Sequence, residues 1–220
     1  MCNFLSGIIL KNGDVITNPL VNSHEDIIED AGLSGKDNHI RYFARFEFTP
    51  FEREYHNLDK YTLRIDEESS PDWLTDEFKE KIERHCRLML SNIVLTGKCK
   101  KKLIAGRSVI LSNFDGKNTN FKNCQIIYID NSTTGDIAKS TTGDIDNSTT
   151  GNIANSTTGN IANSTTGYID NSTTGNIYKS TIGDIYKSTI GNIAKSSSVK
   201  SIKSSVCNDV HYDENCNIIN

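Results

Sequence analysis

Glycine recurs every eight residues from Gly135 to Gly191, and isoleucine recurs at the same interval from Ile129 to Ile193. A period held that long restricts the chain to stacked, near-identical units, because only a repeated environment asks for the same residue at the same phase. Written from the isoleucine, the octad reads I-(A/D/Y)-(N/K)-S-T-(T/I)-G-(D/N/Y). Eight residues with a glycine, a serine and β-branched threonines cannot complete a helix pair and favour extended backbone. Each octad is therefore expected to be a short strand and a turn.

Strand alternation assigns the faces. Lys139, Lys179, Lys187 and Lys195 stand two positions after an isoleucine and are expected to face water, as is the Thr two positions further on. The intervening Ser and the residue before Gly are expected to point inward, and Ile182 and Ile190 take that pre-Gly position. Glycine is required either where φ is positive or where a side chain would collide with the neighbouring coil. Eight residues are too few for a circuit, whereas sixteen make one coil of a two-sided β-solenoid. About ten octads then give about five coils and a rod of about 24 Å. The layout resembles the calcium β-roll, but each turn offers at most one Asp where calcium needs clustered carboxylates, so no calcium and no other cofactor is expected.

The octad phase marks the boundaries. Residues 126–206 carry the octapeptide-repeat β-solenoid, and 103–125 are expected to form degenerate first coils or a cap. After Ile193 the pattern slips by one residue at Ser198–Ile202, and Val206 is expected back in the original phase, with Lys200 and Cys207 where Gly stood. Residues 207–220 read as a polar C-terminal cap covering an open sheet edge.

Residues 1–102 have a different character, that of an α+β module. Residues 2–17 read as a hairpin around Asn12-Gly13, the strongest short turn signal in the chain. Residues 23–33 read as a helix capped by Ser23. Residues 40–49 alternate as a strand ended by Pro50, and 61–66 form another. Pro71 at a first helical position opens a helix to about Leu95, with Leu74, Phe78, Ile82, Cys86, Met89 and Ile93 on one face.

The strings MCNFLSGIILKNGDV, SHEDII, FARFEFTP and LRIDEESSPDWL, followed by octads, resemble a family found in phage, bacterial and large-virus genomes, whose members join a similar N-terminal module to repeat tails of variable length. The resemblance implies this architecture and a viral or mobile-element origin; it implies no activity. Relatives in that family tend to carry Val before the repeat Gly, which agrees with an inward position there.

Candidate chemistry is confined to the head. Cys2 follows the initiator Met and would be an N-terminal nucleophile in the manner of amidotransferases, which open similarly with M-C-G-I, although Asn3 stands here in place of Gly. His24 lies beside Glu25 and Asp26, but consecutive helical residues point to different faces and form no relay, so a solvated or capping role is expected. Arg45, Glu47 and Arg64 lie on the polar sides of strands, where cross-strand ion pairing competes with a small site for an anionic ligand. Asp66, Glu67, Glu68 and Asp72 form an acidic cluster of the kind expected around a helix start, and no metal is assigned to it.

A formal charge of −4 opposes nucleic-acid binding, with the run Lys98 to Lys102 as the one basic exception. Six scattered cysteines without a C-x-x-C pair read as free thiols of a reducing compartment. No run of about 18 apolar residues and no secretory leader is present, so the expected location is cytoplasmic, the host cytoplasm for a viral protein, or a virion. The sequence thus predicts a non-enzymatic structural or interaction protein whose solenoid engages a protein partner or a second copy. The alternative is a small-molecule-binding or enzymatic head displayed on an oligomerising rod.

Overall fold

The computed structural model describes residues 5–21, 23–34, 41–194 and 196–210. The chain forms two units, 1–93 and 94–220, so that 94–102, read in sequence with the head, enters the solenoid.

The first unit is built on an antiparallel sheet of four strands, ordered β2-β1-β3-β4. These are β1 (Leu5–Leu10), β2 (Val15–Thr17), β3 (Phe43–Thr49) and β4 (Thr62–Ile65). Asn12 makes the β1–β2 turn as expected: its Oδ1 accepts from the Asp14 N–H at 3.0 Å, and Gly13 takes φ +88°. Helix α1 (His24–Asp30) starts at Ser23, whose Oγ accepts from the Asp26 N–H at 3.3 Å, and packs Ile27 on Ile8 and Phe43.

Helix α2 (Asp76–Ile93) begins five residues later than Pro71 predicts. Residues 71–75 instead form a turn in which the Leu74 N–H donates to Pro71 O, and Leu74 is buried there. Trp73 meets Phe78 edge-on at 6.0 Å, so the two anchors pin the chain before the helix starts. Asp76 and Glu77 then occupy the first turn, where the helix dipole favours them. The inner face of α2 carries Ile82, Cys86 and Leu90, and Arg87 lays its guanidinium over Phe48, 5.3 Å from the ring centre.

The second unit is a parallel β-solenoid of about seven turns and about sixteen residues per coil. It is longer than the octads alone predict, because non-repeating sequence forms complete strands below and above them. Strands β5 (Val94–Lys98) and β6 (Leu103–Ala105) pair with β7 (Ser108–Gly116) and β8 (Asn120–Lys122), and β7 pairs with β9 (Gln125–Asp130). From there the register is strict: Ile137 pairs with Ile153, Ile153 with Ile169, and Ile169 with Ile185. The other side runs Ile129, Ile145, Ile161, Ile177 and Ile193.

At the C-terminal end one residue is inserted and never recovered. Ser198 pairs with Thr181 and Val206 pairs with Thr189, both seventeen residues on. The return of Val206 to the original phase is therefore overturned. The extra residue is absorbed in the turn closed by the Ser197 N–H to Ala194 O. Lys200 falls level with Gly183 as expected, whereas Cys207 pairs with Ile190 at the inward position.

Candidate functional site

In the first unit the polar residues singled out above come together on and beside β3. His24, 5% exposed, places Nε2 2.9 Å from Phe46 O and Nδ1 3.5 Å from Asp66 Oδ2. Its partner is thus a carboxylate beyond the end of β4, and Glu25 and Asp26 beside it point into solvent. The solvated role expected for His24 is replaced by that of a buried pin between α1, β3 and the segment after β4.

Arg45 is paired with Glu67: its backbone N–H and Nε donate to Oε1 at 2.8 and 3.1 Å, and Nη2 donates to Oε2 at 3.1 Å. The Glu67 side chain is only 1% exposed, and a buried carboxylate requires this degree of pairing. Glu47 stands directly opposite Arg64 in the β3–β4 register, and Arg64 Nη2 lies 3.9 Å from Asp66 Oδ1. Arg45, Glu47 and Arg64 are therefore gathered on β3 and β4, but Arg45 and Arg64 are ion-paired to Glu67 and Asp66, and Glu47 is buried where the alternation placed it on a polar side. Asp66 and Glu67, two of the four acids of the cluster, are committed to His24, Arg64 and Arg45. Among the described residues no group of three or more His, Cys, Asp or Glu is placed to hold a metal ion. Cys2 lies outside the described residues.

Lys60 beside Glu54 lowers the pKa of that carboxyl, and the other departures from ordinary values come from burial. Burial pushes the Cys86 thiol up to about 12, so it stays protonated and unreactive at neutral pH. Burial, helped by Lys81, lowers the pKa of His85, whose Nε2 lies 3.4 Å from Thr17 Oγ1. Burial also raises the pKa of the Tyr61 hydroxyl, which donates to Tyr55 O at 3.1 Å.

The second unit presents two regular faces. The first is made by 125–130, 141–146, 157–162, 173–178 and 189–194, the second by 133–138, 149–154, 165–170, 181–186 and 198–203. Within each octad Ile, Ser and the pre-Gly residue are buried, and the outward Thr is exposed at Thr141, Thr157, Thr173 and Thr189, as alternation requires. Between the faces the chain turns at Asn131, Lys139, Asn147, Asn155, Asn163, Asn171, Lys179 and Lys187, all with φ between 46° and 50°. The left-handed position is thus the Asn/Lys of the octad, where Asn is the favoured non-glycine residue. Glycine serves the other purpose: a Cβ on Gly175 would stand 3.0 Å from the carbonyl carbon and oxygen of Gly159 beneath it.

The residue after Gly has a role that turn chemistry alone did not reveal. Asp144 Oδ1 accepts from the Asn160 N–H at 2.7 Å, Asn160 Oδ1 from Asn176 at 2.9 Å, and Asn176 Oδ1 from Asn192 at 2.8 Å. A matching ladder runs from Asn120 through Asp136 and Asn152 to the backbone of Tyr168. Side-chain acceptors thus substitute for carbonyls at this position, which interrupts the backbone ladder once per side. The spacing of Asp and Asn at i and i+16 is the sequence signal for it.

Comparison with protein-family models, with curated proteins and with solved structures returns no match. The faces themselves carry the functional argument. The outward Thr recurs unchanged from coil to coil, and large apolar groups stand out as Tyr168, Tyr178 and Tyr186, with Leu103 and Val206 on the strands at the two ends. Lys179 Nζ lies 5.1 Å from the centre of the Tyr178 ring, and Lys187 Nζ 5.0 Å from that of Tyr186, so two of these tyrosines are held under a cation. No helix among the described residues is long and apolar enough to cross a membrane.

Proposed function

We propose that this is a non-enzymatic structural or interaction protein, in which the solenoid is a rigid docking or oligomerisation face. The observation that carries the reading is the regular polar surface of the coils, with exposed Thr, Asn and Tyr held in register by ladders that satisfy the backbone beneath them. Such a surface needs no conformational ordering on contact, which lowers the cost of association. In keeping with the resemblance of its N-terminal strings, the protein is assigned to a virus or mobile element and to the host cytoplasm or the virion.

Native mass spectrometry of the intact protein tests the reading. A defined oligomer of bare chains, or a complex with a second protein, is the expected result. A discrete small-molecule mass that leaves on denaturation overturns it in favour of the second reading, a ligand-binding or enzymatic head. That reading is favoured by one observation, the nearly buried His24 held against Asp66. Its nucleophile version requires Cys2→Ser to abolish whatever activity the head has.

A further inference from the structure

Charge along the solenoid is segregated in bands. The stretch 94–122 carries seven Lys and Arg against Asp115, 123–170 carries five Asp against Lys139, and 171–203 carries five Lys against Asp184. On the first face this banding falls in one outward column, the position after each isoleucine, which reads Asp130, Asp146, Ala162, Tyr178 in ascending coils. Lys179 turns the corner beside Tyr178 and holds its ammonium over that ring. Acid thus lies below Ala162 and a cation with a phenol above it, at the same distance of one coil.

We propose that the first face docks a second copy of this chain, antiparallel, about a two-fold axis passing through the level of Ala162. A two-fold axis lying in the interface and perpendicular to the solenoid keeps each column facing its own equivalent while reversing the order of coils. Ala162 then meets the partner subunit's Ala162, where the small side chain permits close approach. Asp146 of each copy meets Tyr178 and Lys179 of the other, and both groups are donors to a carboxylate. A register one coil lower would set Asp146 against Asp146, and like charges oppose it. The parallel arrangement sets each band against its own sign. The second face, whose column reads Lys122, Ala138, Ala154, Asp170, Tyr186, Lys203, offers a rival pairing of Lys122 with Asp170 about a level between Ala138 and Ala154, which charge reversal at residues 146 and 179 would leave untouched.

The inference rests on the docking reading and names its partner. A side of six residues by five coils measures about 20 by 24 Å, so pairing buries roughly 1,000 Å² in total, at the lower limit of specific interfaces. Association in the micromolar range follows, and it weakens with added salt.

Charge reversal in sedimentation velocity at about 100 µM, well above such a dissociation constant, tests the register. The wild type is expected to be a dimer. Asp146→Lys and Lys179→Asp, each alone, weaken association about tenfold or more, while their equimolar mixture and the double variant D146K/K179D form dimers again. Both substitutions suit the fold: Lys122 and Lys203 occupy the equivalent column of the second face, and Asp tolerates the left-handed φ of position 179. Unchanged circular dichroism melts confirm that each variant is folded. A monomeric wild type overturns the pairing, as does rescue of Lys179→Asp by Asp130→Lys in place of Asp146→Lys. An oligomer indifferent to both reversals also overturns it but leaves the docking reading standing, whereas a small molecule held by the head in native mass spectrometry removes that reading itself.

Discussion

Serine and threonine sit side by side in the octad and meet opposite fates inside the solenoid. Each inward Ser is satisfied twice: Ser148 Oγ donates to Asp146 O at 2.6 Å and accepts from the Ser132 N–H at 3.1 Å, and Ser164 repeats both contacts one coil on. The pre-Gly threonines divide between two columns. Thr150 Oγ1 donates to Thr166 Oγ1 at 3.1 Å, but among the described residues Thr142, Thr158 and Thr174 bury hydroxyls with no partner. An unpartnered buried hydroxyl costs about 1–3 kcal/mol, and the same column carries Ile190 next above Thr174, fully buried. Thr158→Val, which keeps the shape and removes the hydroxyl, is expected to stabilise the protein by about 1 kcal/mol. Urea unfolding read on the solenoid's circular dichroism checks this, and a lowered midpoint would show that the hydroxyl is bonded.

At the scale of the element, the octad is one side of a coil plus one corner. The corner needs a left-handed residue, the side needs a close approach at glycine, and the Ser beyond the corner bridges it by donating to the carbonyl two residues back. Gly175→Ala is expected to destabilise by about 2 kcal/mol, because the new methyl must displace backbone of the coil beneath. Asn171→Ala at the corner is a useful contrast, since its cost is the left-handed conformation of about 1 kcal/mol and one exposed bond, from Asn171 Nδ2 to Asn155 Oδ1 at 2.7 Å. Thermal melts of the two variants check the order; a Gly175→Ala melt equal to the wild type would place the required glycine elsewhere. The octad made inward and outward positions legible, since they depend only on alternation. It did not separate the two uses of glycine, which depend on what lies sixteen residues away.

At the scale of the whole molecule, the second unit is a one-dimensional stack in which each coil supports only its neighbours. Removing 149–164 takes out one coil and joins Ser148 to Thr165, an equivalent junction. The protein is expected to fold with an unchanged β-sheet spectrum and a melting temperature lowered by a few degrees. Removing 149–152 instead joins Ser148 to Ile153 and throws the later isoleucines out of line with the coil below, so a cooperative melt is expected to be lost. A cooperative melt after the four-residue deletion would contradict a core held by strict register. In the first unit the elements were legible but their network was not. The hairpin, α1 and β3 follow from turn, cap and alternation signals, whereas the pairing of His24 with Asp66 spans forty-two residues.

By itself the sequence determined the repeat, its sixteen-residue coil and the inward Ile, Ser and pre-Gly positions, because one short unit in one environment leaves its period in the residues. Only the tertiary structure decided the rest. The partners of His24 and Arg45, the start of α2 at Asp76, and the entry of 94–102 into the solenoid depend on contacts between segments with no shared period. The Asp and Asn ladders and the lasting slip after Ile193 likewise appear only once one coil is laid on the next, where a side chain competes with a backbone carbonyl for the same N–H.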